Sequence, residues 1–282
     1  MFAKFYDVDN CVHLKLNDRT EEEALKIAKE VDSEVYSTKH ELQWHSIGGK
    51  YYRFKFFDRF YSILNELIGP KIAHKLDLKT VNNFPAILDY NEELKLYGII
   101  SENFKDPNKE YLTMTELGFK PRTNPDYKNL KQLKRYCRKE DYEELLNGIL
   151  KMTCLDYVMG QADRVLSNFL FEKDGKKITF APLFDYAEAY ECIKEGCVYD
   201  KYKNSQLKFS VGNSIIAPAF WEPKIQRILK KYPQFREYLD KVCNIDIMEI
   251  LEEIEDEHRL KIPDDYKEYY DVRTKEKQKI YY

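Results

Sequence analysis

The spacing of hydrophobic and polar residues changes along the chain and divides it into two parts. In residues 1–104, short apolar segments alternate with polar residues at a period of two, which is typical of β-strands with one buried face. One main helix is expected among them, from Phe60 to Leu76. From residue 130 onward a helical period dominates. The pattern predicts a small sheet lobe, residues 1–104, followed by a larger and mostly helical lobe, residues 105–282.

The predicted elements are short in the first lobe and longer in the second. Strands are expected within 1–16 and at 34–36, 41–45, 50–57, 84–88, 94–100, 169–171 and 178–180. Helices are expected at 20–31, 60–76, 130–136, 142–158, 221–239, 245–259 and 264–279. Residues 105–127 are polar and contain three prolines, so they are expected to form the lobe connection and a loop.

Composition narrows the class of protein. A chain of 282 residues suits one two-lobed domain or two small domains. A formal net charge of −3 without a long basic run disfavours nucleic acid as the main ligand. No apolar run approaches the length of a membrane span and no Sec-type signal opens the chain, so no membrane partner is expected. A cytoplasmic location is expected, with secretion by a non-Sec route left open.

The strongest chemical signal is the run Gly160–Phe169, followed by Pro182-Leu183-Phe184-Asp185. Asp163 and Asn168 lie five residues apart, and Asp185 follows seventeen residues after Asn168. Kinase-type phosphoryl transfer uses one carboxylate facing the attacking hydroxyl, and a second carboxylate with an amide oxygen to hold Mg²⁺. The predicted order of helix, loop, hairpin and acidic loop adds specificity to this spacing. The alternative is that Asp163 and Asn168 are ordinary turn residues.

A second candidate group lies in the sheet lobe. The period of two places Arg53 and Lys55 on one face of the strand at 50–57, and Glu66 on the following helix is placed to pair with a cation there. Lys55 is the candidate for binding the α- and β-phosphates of a nucleotide, with Arg53 as its competitor. The alternative is that Lys55 and Glu66 are exposed surface residues.

A short loop before these strands is a candidate phosphate contact. Ser37, Thr38 and Lys39 offer backbone N–H groups, hydroxyls and a positive charge, although the loop contains no glycine. A plain hairpin turn explains the loop equally well.

These segments resemble the HipA-like serine/threonine kinases, whose signature reads roughly G-N-x-D-R-H-x-x-N-F followed by P-L-[YF]-D. The chain matches it at Gly160, Asp163, Arg164, Asn168, Phe169, Pro182, Leu183 and Asp185. It departs at Gln161, where Asn is usual, and at Val165, where His is usual. The segment Gly98–Phe104 also resembles compact bacterial members of this family.

The resemblance implies an α+β, two-lobed protein-kinase-like fold with a small antiparallel sheet in the first lobe. It implies an enzyme that uses ATP and Mg²⁺ to phosphorylate Ser or Thr of a protein substrate, with autophosphorylation also open. Asp163 would act on the attacking hydroxyl, Arg164 would brace the catalytic loop, and Asn168 and Asp185 would hold the metal. Ile100 and Ser101 would contact the nucleotide.

Three points stay open at this stage. Phosphoinositide and aminoglycoside kinases use a similar site, so a small-molecule or lipid kinase is the first alternative. Val165 in place of His allows a second, a catalytically weak pseudokinase that acts as a nucleotide-gated binding module. The chain resembles the short stand-alone members of the family, so an antitoxin partner and operator binding are not carried over, and membership of a toxin–antitoxin pair stays open.

Overall fold

The computed structural model describes residues 5–6, 11–15, 43–47, 50–57, 60–89, 95–117, 134–135, 137–161, 164, 168–187, 189–190 and 228–281. The elements predicted at 20–31 and 34–36 lie outside these residues, as does most of the helix predicted at 130–136. The other predicted elements lie wholly or partly within them.

The first lobe is built on a sheet in which five strands are described. In chain order these are β1 (Val12–Lys15), β2 (Gln43–Ile47), β3 (Lys50–Phe56), β4 (Asn83–Asp89) and β5 (Lys95–Glu102). Their order in the sheet is β1-β4-β5-β3-β2. The pairs β2–β3, β3–β5 and β4–β5 are antiparallel, as predicted, whereas the edge strand β1 runs parallel to β4.

Helix α1 (Phe60–Lys75) lies between the two lobes. Of its residues, only Lys71, His74 and Lys75 are not buried, because the sheet covers one side and the second lobe covers the others. Two of these, His74 and Lys75, lie in the last turn, where positive charge suits the helix dipole. Glu66, the predicted partner of Lys55, therefore lies on a helix that packs against both lobes.

The second lobe is mostly helical, as predicted. Its described elements are β6 (Glu110–Thr113), α2 (Lys139–Met159), β7 (Leu170–Asp174), β8 (Lys177–Phe180), α3 (Gln234–Cys243), α4 (Ile247–His258) and α5 (Asp264–Tyr281). One apolar core runs from the sheet through α1 into these helices, and a smaller cluster lies around Phe54 on β3. The α+β fold class is confirmed.

Two predictions for the second lobe were wrong. Residues 105–127 were expected to be loop, but Glu110–Thr113 forms β6, which pairs with β7 in a three-stranded sheet. The single helix predicted at 221–239 is interrupted after residue 231, and α3 begins at Gln234. Pro233 explains the break, because it has no backbone N–H and its ring clashes with the carbonyl four residues earlier in a continuous helix.

Gly69 marks the closest approach between α1 and the segment that follows β8. A Cβ atom at Gly69 would lie 2.3 Å from Cγ of Tyr186, whose ring is fully buried next to Asp185. The Tyr186 hydroxyl is hydrogen-bonded to Oγ1 of Thr80 at 2.8 Å, which fixes the ring against the helix. The missing side chain at position 69 therefore lets the segment carrying Asp185 pack directly on α1.

Gly69→Ala is expected to lower the free energy of unfolding by roughly 1–3 kcal/mol, because the new methyl group overpacks the Tyr186 ring. The matched control is Gly148→Ala in α2, where a Cβ would lie 3.4 Å from Phe180, at ordinary contact distance. That variant is expected to be neutral or to gain up to about 1 kcal/mol from helix propensity. Urea denaturation of both proteins measures the difference, and equal stabilities would contradict the packing argument.

Candidate active site

Lys55 reaches the junction of the lobes from β3 and contacts two carboxylates there. Its Nζ lies 3.1 Å from Oε1 of Glu66 and 2.7 Å from Oδ1 of Asp185. Its neighbours Phe54 and Phe56 pack in the small cluster on the other face of the sheet, as the alternation of the strand requires. Residues from β3, α1 and the loop after β8 are thereby brought together.

The pKa values of Lys55, Asp185 and Glu66 depend on one another. Burial opposes protonation of Lys55, but Asp185 and Glu66 outweigh it and raise the pKa of Lys55 above its ordinary value. Burial acts to raise the pKa of Asp185, yet the charge and hydrogen bond of Lys55 lower that pKa below its ordinary value. Burial raises the pKa of Glu66, with Lys55 opposing the shift. Asp185 is therefore the more acidic carboxylate and is ionised at neutral pH.

Asp185 is held in an unusual backbone conformation. Its φ angle is +64°, in the left-handed region that few residues other than glycine adopt without cost. Nδ2 of Asn168 donates to Oδ2 of Asp185 at 3.1 Å, and Nε2 of Gln161 donates to the Asp185 backbone carbonyl at 3.0 Å. Two side-chain amides and Lys55 thus position both the carboxylate and the main chain of Asp185.

Arg164 lies beneath this group and is completely buried. Its Nη2 and Nε lie 3.1 Å and 3.2 Å from Oδ1 of Asp156 on α2, and its Nη1 donates to the carbonyl of Phe184 at 2.8 Å. The guanidinium also lies 5.4 Å from the centre of the Tyr186 ring. Arg164 therefore joins α2 to the residues on both sides of Asp185.

Arg164→Met is expected to lower the free energy of unfolding by roughly 3–5 kcal/mol, because it leaves the buried Asp156 carboxylate without its partner. The control is Lys275→Met, which breaks an exposed pair with Asp271 on α5 and should cost at most about 1 kcal/mol. Thermal and denaturant unfolding measure both effects. The double variant Asp156→Leu/Arg164→Met should be more stable than Arg164→Met alone, and failure of this rescue would contradict the role given to the ion pair.

Asn65 ties α1 to the segment that follows Asp185. Its Nδ2 donates to the carbonyls of Ala187 and Ala189 at 2.9 Å and 2.8 Å. Its Oδ1 accepts a hydrogen bond of 2.8 Å from the hydroxyl of Tyr270 on α5. The residue next to Glu66 in the helix therefore binds the chain that follows Asp185, and it accepts a hydroxyl hydrogen bond from α5.

Asn168 and Asp185 are the residues that fit a divalent cation. Within the described ranges, no group of three or more His, Cys, Asp and Glu side chains is arranged to hold a metal by itself. One carboxylate and one side-chain amide 3.1 Å apart match the habit of Mg²⁺, which takes one or two protein ligands together with water and phosphate oxygens. The 3.1 Å contact is made by Nδ2 of Asn168, so its Oδ1, which is the atom suited to a cation, would have to turn toward Asp185 when a cation binds.

The remaining predicted residues are only partly described. Asp163, Ser37, Thr38, Lys39 and Val165 lie outside the described residues, so their proposed roles stay predictions. Two further predicted residues lie at the end of β5: the Ile100 side chain packs in the small cluster, and Oγ of Ser101 donates to Asn83. Their contact with a nucleotide stays a prediction.

Two residues that build the site, Gln161 and Asp156, were not among the predicted site residues. Gln161 was noted only as a departure from the family signature, yet it binds the Asp185 main chain. Asp156 lies in the apolar end of α2 and was not predicted, although a lone carboxylate in such a run indicates a buried partner.

Within the described residues no helix combines the length and apolar character needed to cross a membrane.

Comparison with known proteins identifies the architecture. No protein-family model matches the sequence, and no curated protein matches it. The structure is similar to the proinflammatory kinase CtkA of Helicobacter pylori, with a TM-score of 0.51, 13% identity, and coverage of 86% of this chain and 93% of that chain. It is also similar to HipA of Shewanella oneidensis MR-1, solved with HipB and operator DNA, with a TM-score of 0.57 and 13% identity over 94% of this chain and 72% of that chain. The likeness confirms the predicted two-lobed fold class.

Proposed function

Given this HipA-like kinase fold, we propose that the protein is a kinase that uses ATP and Mg²⁺ to phosphorylate Ser or Thr of a protein substrate. The observation that carries the proposal is the contact of Lys55 with both Glu66 and Asp185 across the lobe junction. In protein kinases the phosphate-binding lysine pairs with a helix glutamate close to a metal-binding aspartate, and the contacts of Lys55 support the same role here.

Each candidate site residue is proposed to have a role that suits the charge of its side chain. Lys55 would bind phosphate oxygens of the nucleotide, and Glu66 would hold the Lys55 ammonium group at the lobe junction. Asn168 and Asp185 would hold Mg²⁺, which neutralises charge on the phosphate oxygens when bound. Asp163, which lies outside the described residues, would orient the acceptor hydroxyl and take its proton.

The contacts of the described site residues support a preorganised site. Asp185 is ionised because Lys55 lowers its pKa, so it presents an anion to a cation without a proton having to leave. Arg164, Gln161 and Asn168 hold the carboxylate and its main chain, which limits the reorganisation that binding demands. The choice of Ser or Thr in a protein as acceptor rests on the family resemblance.

Transfer of labelled phosphate tests the proposal. Purified protein is incubated with Mg²⁺ and γ-labelled ATP, alone and with a bacterial protein extract, phosphoinositide vesicles or an aminoglycoside. We expect label on Ser or Thr of protein, mapped by mass spectrometry, and none when Mg²⁺ is removed by a chelator. Label on lipid or sugar alone would indicate the small-molecule alternative, and ATP binding without transfer would indicate a pseudokinase.

A further inference from the structure

We infer that Asn83 and Ser101 are positioning residues for the proposed phosphotransfer site, which hold the Glu66 carboxylate so that Lys55 stays beside Asp185. The inference deepens the proposed function and rests on it. Asn83 had no role in the sequence analysis, and Ser101 was predicted there to contact nucleotide.

The two residues face each other across neighbouring strands. Asn83 at the start of β4 is directly opposite Ser101 near the end of β5. Oγ of Ser101 donates to Oδ1 of Asn83 at 2.6 Å. Because the Glu66 backbone carbonyl can only accept, the amide nitrogen of Asn83 must face α1, and the amide oxygen then faces the Ser101 hydroxyl. Glu66 therefore sets the orientation of the Asn83 amide, and Ser101 holds the amide oxygen in place.

The amide nitrogen of Asn83 then binds Glu66 twice. Nδ2 lies 2.8 Å from the Glu66 backbone carbonyl and 3.3 Å from its Oε2. Lys55 binds the other carboxylate oxygen, Oε1. Each oxygen of Glu66 thus has its own donor, which fixes the carboxylate in rotation as well as in position.

Burial raises the cost of losing one of these hydrogen bonds. Glu66 is 2% exposed and Asn83 is 6% exposed, so water cannot replace a lost donor without opening the lobe junction. Asparagine is a poor strand residue, and an apolar residue would suit a buried position on β4 better. Its hydrogen bonds to Ser101 and Glu66 supply the reason for an amide there.

The hydrogen bonds form one chain from β5 to the candidate metal site. It runs from Ser101 through Asn83, Glu66 and Lys55 to Asp185, with no gap between donors and acceptors. Ser101 lies where β5 leads into the connection between the lobes. The end of β5 is therefore joined by hydrogen bonds to the group that holds Asp185.

Asn83→Asp tests the inference because it keeps the shape and exchanges a donor for a carboxylate. The introduced carboxylate would face Oε2 of Glu66, and two carboxylates at this distance retain a proton to higher pH than either alone. While the pair holds that proton, one O–H group replaces one of the two N–H donors of Asn83, so transfer should fall by only a few fold. Once the proton leaves at higher pH, repulsion displaces Glu66, and kcat should fall by about tenfold more between pH 6 and pH 8 than in the wild type.

The control is Asn82→Asp, the same chemical change one residue earlier, where the side chain is exposed. Its pH profile should follow the wild type. The other titratable groups around Glu66, which are Lys55 on β3 and Asp185 and Tyr186 after β8, are present in both variants. Identical pH profiles for Asn83→Asp and Asn82→Asp would overturn the positioning role.

Ser101→Ala separates positioning from nucleotide contact. Loss of the hydroxyl leaves the buried amide oxygen of Asn83 without this donor and loosens its contact with Glu66, so kcat should fall by a few fold while KM for ATP stays unchanged. A raised KM for ATP with unchanged kcat would instead show that Ser101 binds nucleotide and would remove it from the positioning chain.

Failure of the proposed function can be told apart from failure of this inference. If the wild-type protein transfers no phosphate to any acceptor, the kinase proposal is wrong. Even then, the pH dependence of thermal unfolding reports on the contact between Glu66 and the introduced carboxylate. Asn83→Asp should lose stability as pH rises from 6 to 8, and Asn82→Asp should not. Equal pH dependence of the two unfolding midpoints would overturn the inference by itself.

Discussion

Asp185→Asn is expected to lower phosphate transfer by on the order of a hundredfold to ten-thousandfold and to leave the fold intact. Asparagine keeps the shape of the side chain but removes the negative charge that Lys55 contacts at 2.7 Å and that a cation would require. Lys55 keeps Glu66 as a partner, so the lobe junction is not left with an unpaired charge. Initial rates at saturating ATP and Mg²⁺ measure the effect.

The matched control for this substitution is Asp174→Asn, which makes the same change at the exposed last residue of β7. It should transfer phosphate at the wild-type rate. Circular dichroism and the unfolding midpoint establish that both variants are folded. An Asp185→Asn protein with near wild-type transfer would remove Asp185 from the candidate metal site.

Local patterns predicted the parts of the site that lie within single elements. The period of two in β3 placed Lys55 on the face toward α1 and Phe54 on the other, and the structure has both there. The hairpin predicted from the strands at 169–171 and 178–180 is formed by β7 and β8, and Gly175 adopts a φ angle of +57° in its turn. Short-range sterics and burial decide these features, so neighbouring residues are sufficient to reveal them.

Features that depend on distant pairings could not be read in this way. β6 exists because it pairs with β7 about sixty residues later, and its four residues carry no strong pattern of their own. Asn83 and Ser101 meet only because the register of β4 and β5 sets them opposite each other. Gln161 binds the Asp185 main chain only because the fold brings residue 185 back beside residue 161.

Helix α1 explains why the site depends on contacts far from the cleft. Asn65 and Glu66 are adjacent in it, and they bind opposite sides of the same junction. Asn65 holds the chain after Asp185 and receives a hydroxyl from Tyr270, whereas Glu66 holds Lys55 and receives the amide of Asn83. The helix is therefore positioned from the sheet and from the C-terminal helix together.

Lys55→Met is expected to lower kcat/KM for ATP-dependent transfer by on the order of a hundredfold or more, since it removes a preorganised positive charge from the cleft. Arg53→Met is the matched control, because Arg53 lies two residues earlier on the same face of β3. Lys55 is hydrogen-bonded to both Glu66 and Asp185, whereas Arg53 acts on Asp185 as a weaker electrostatic influence on its pKa. Arg53→Met should therefore change kcat/KM by only a few fold. Steady-state kinetics on both variants, with unfolding midpoints measured in parallel, give the ranking, and a larger loss for Arg53→Met would assign the phosphate-binding role to Arg53.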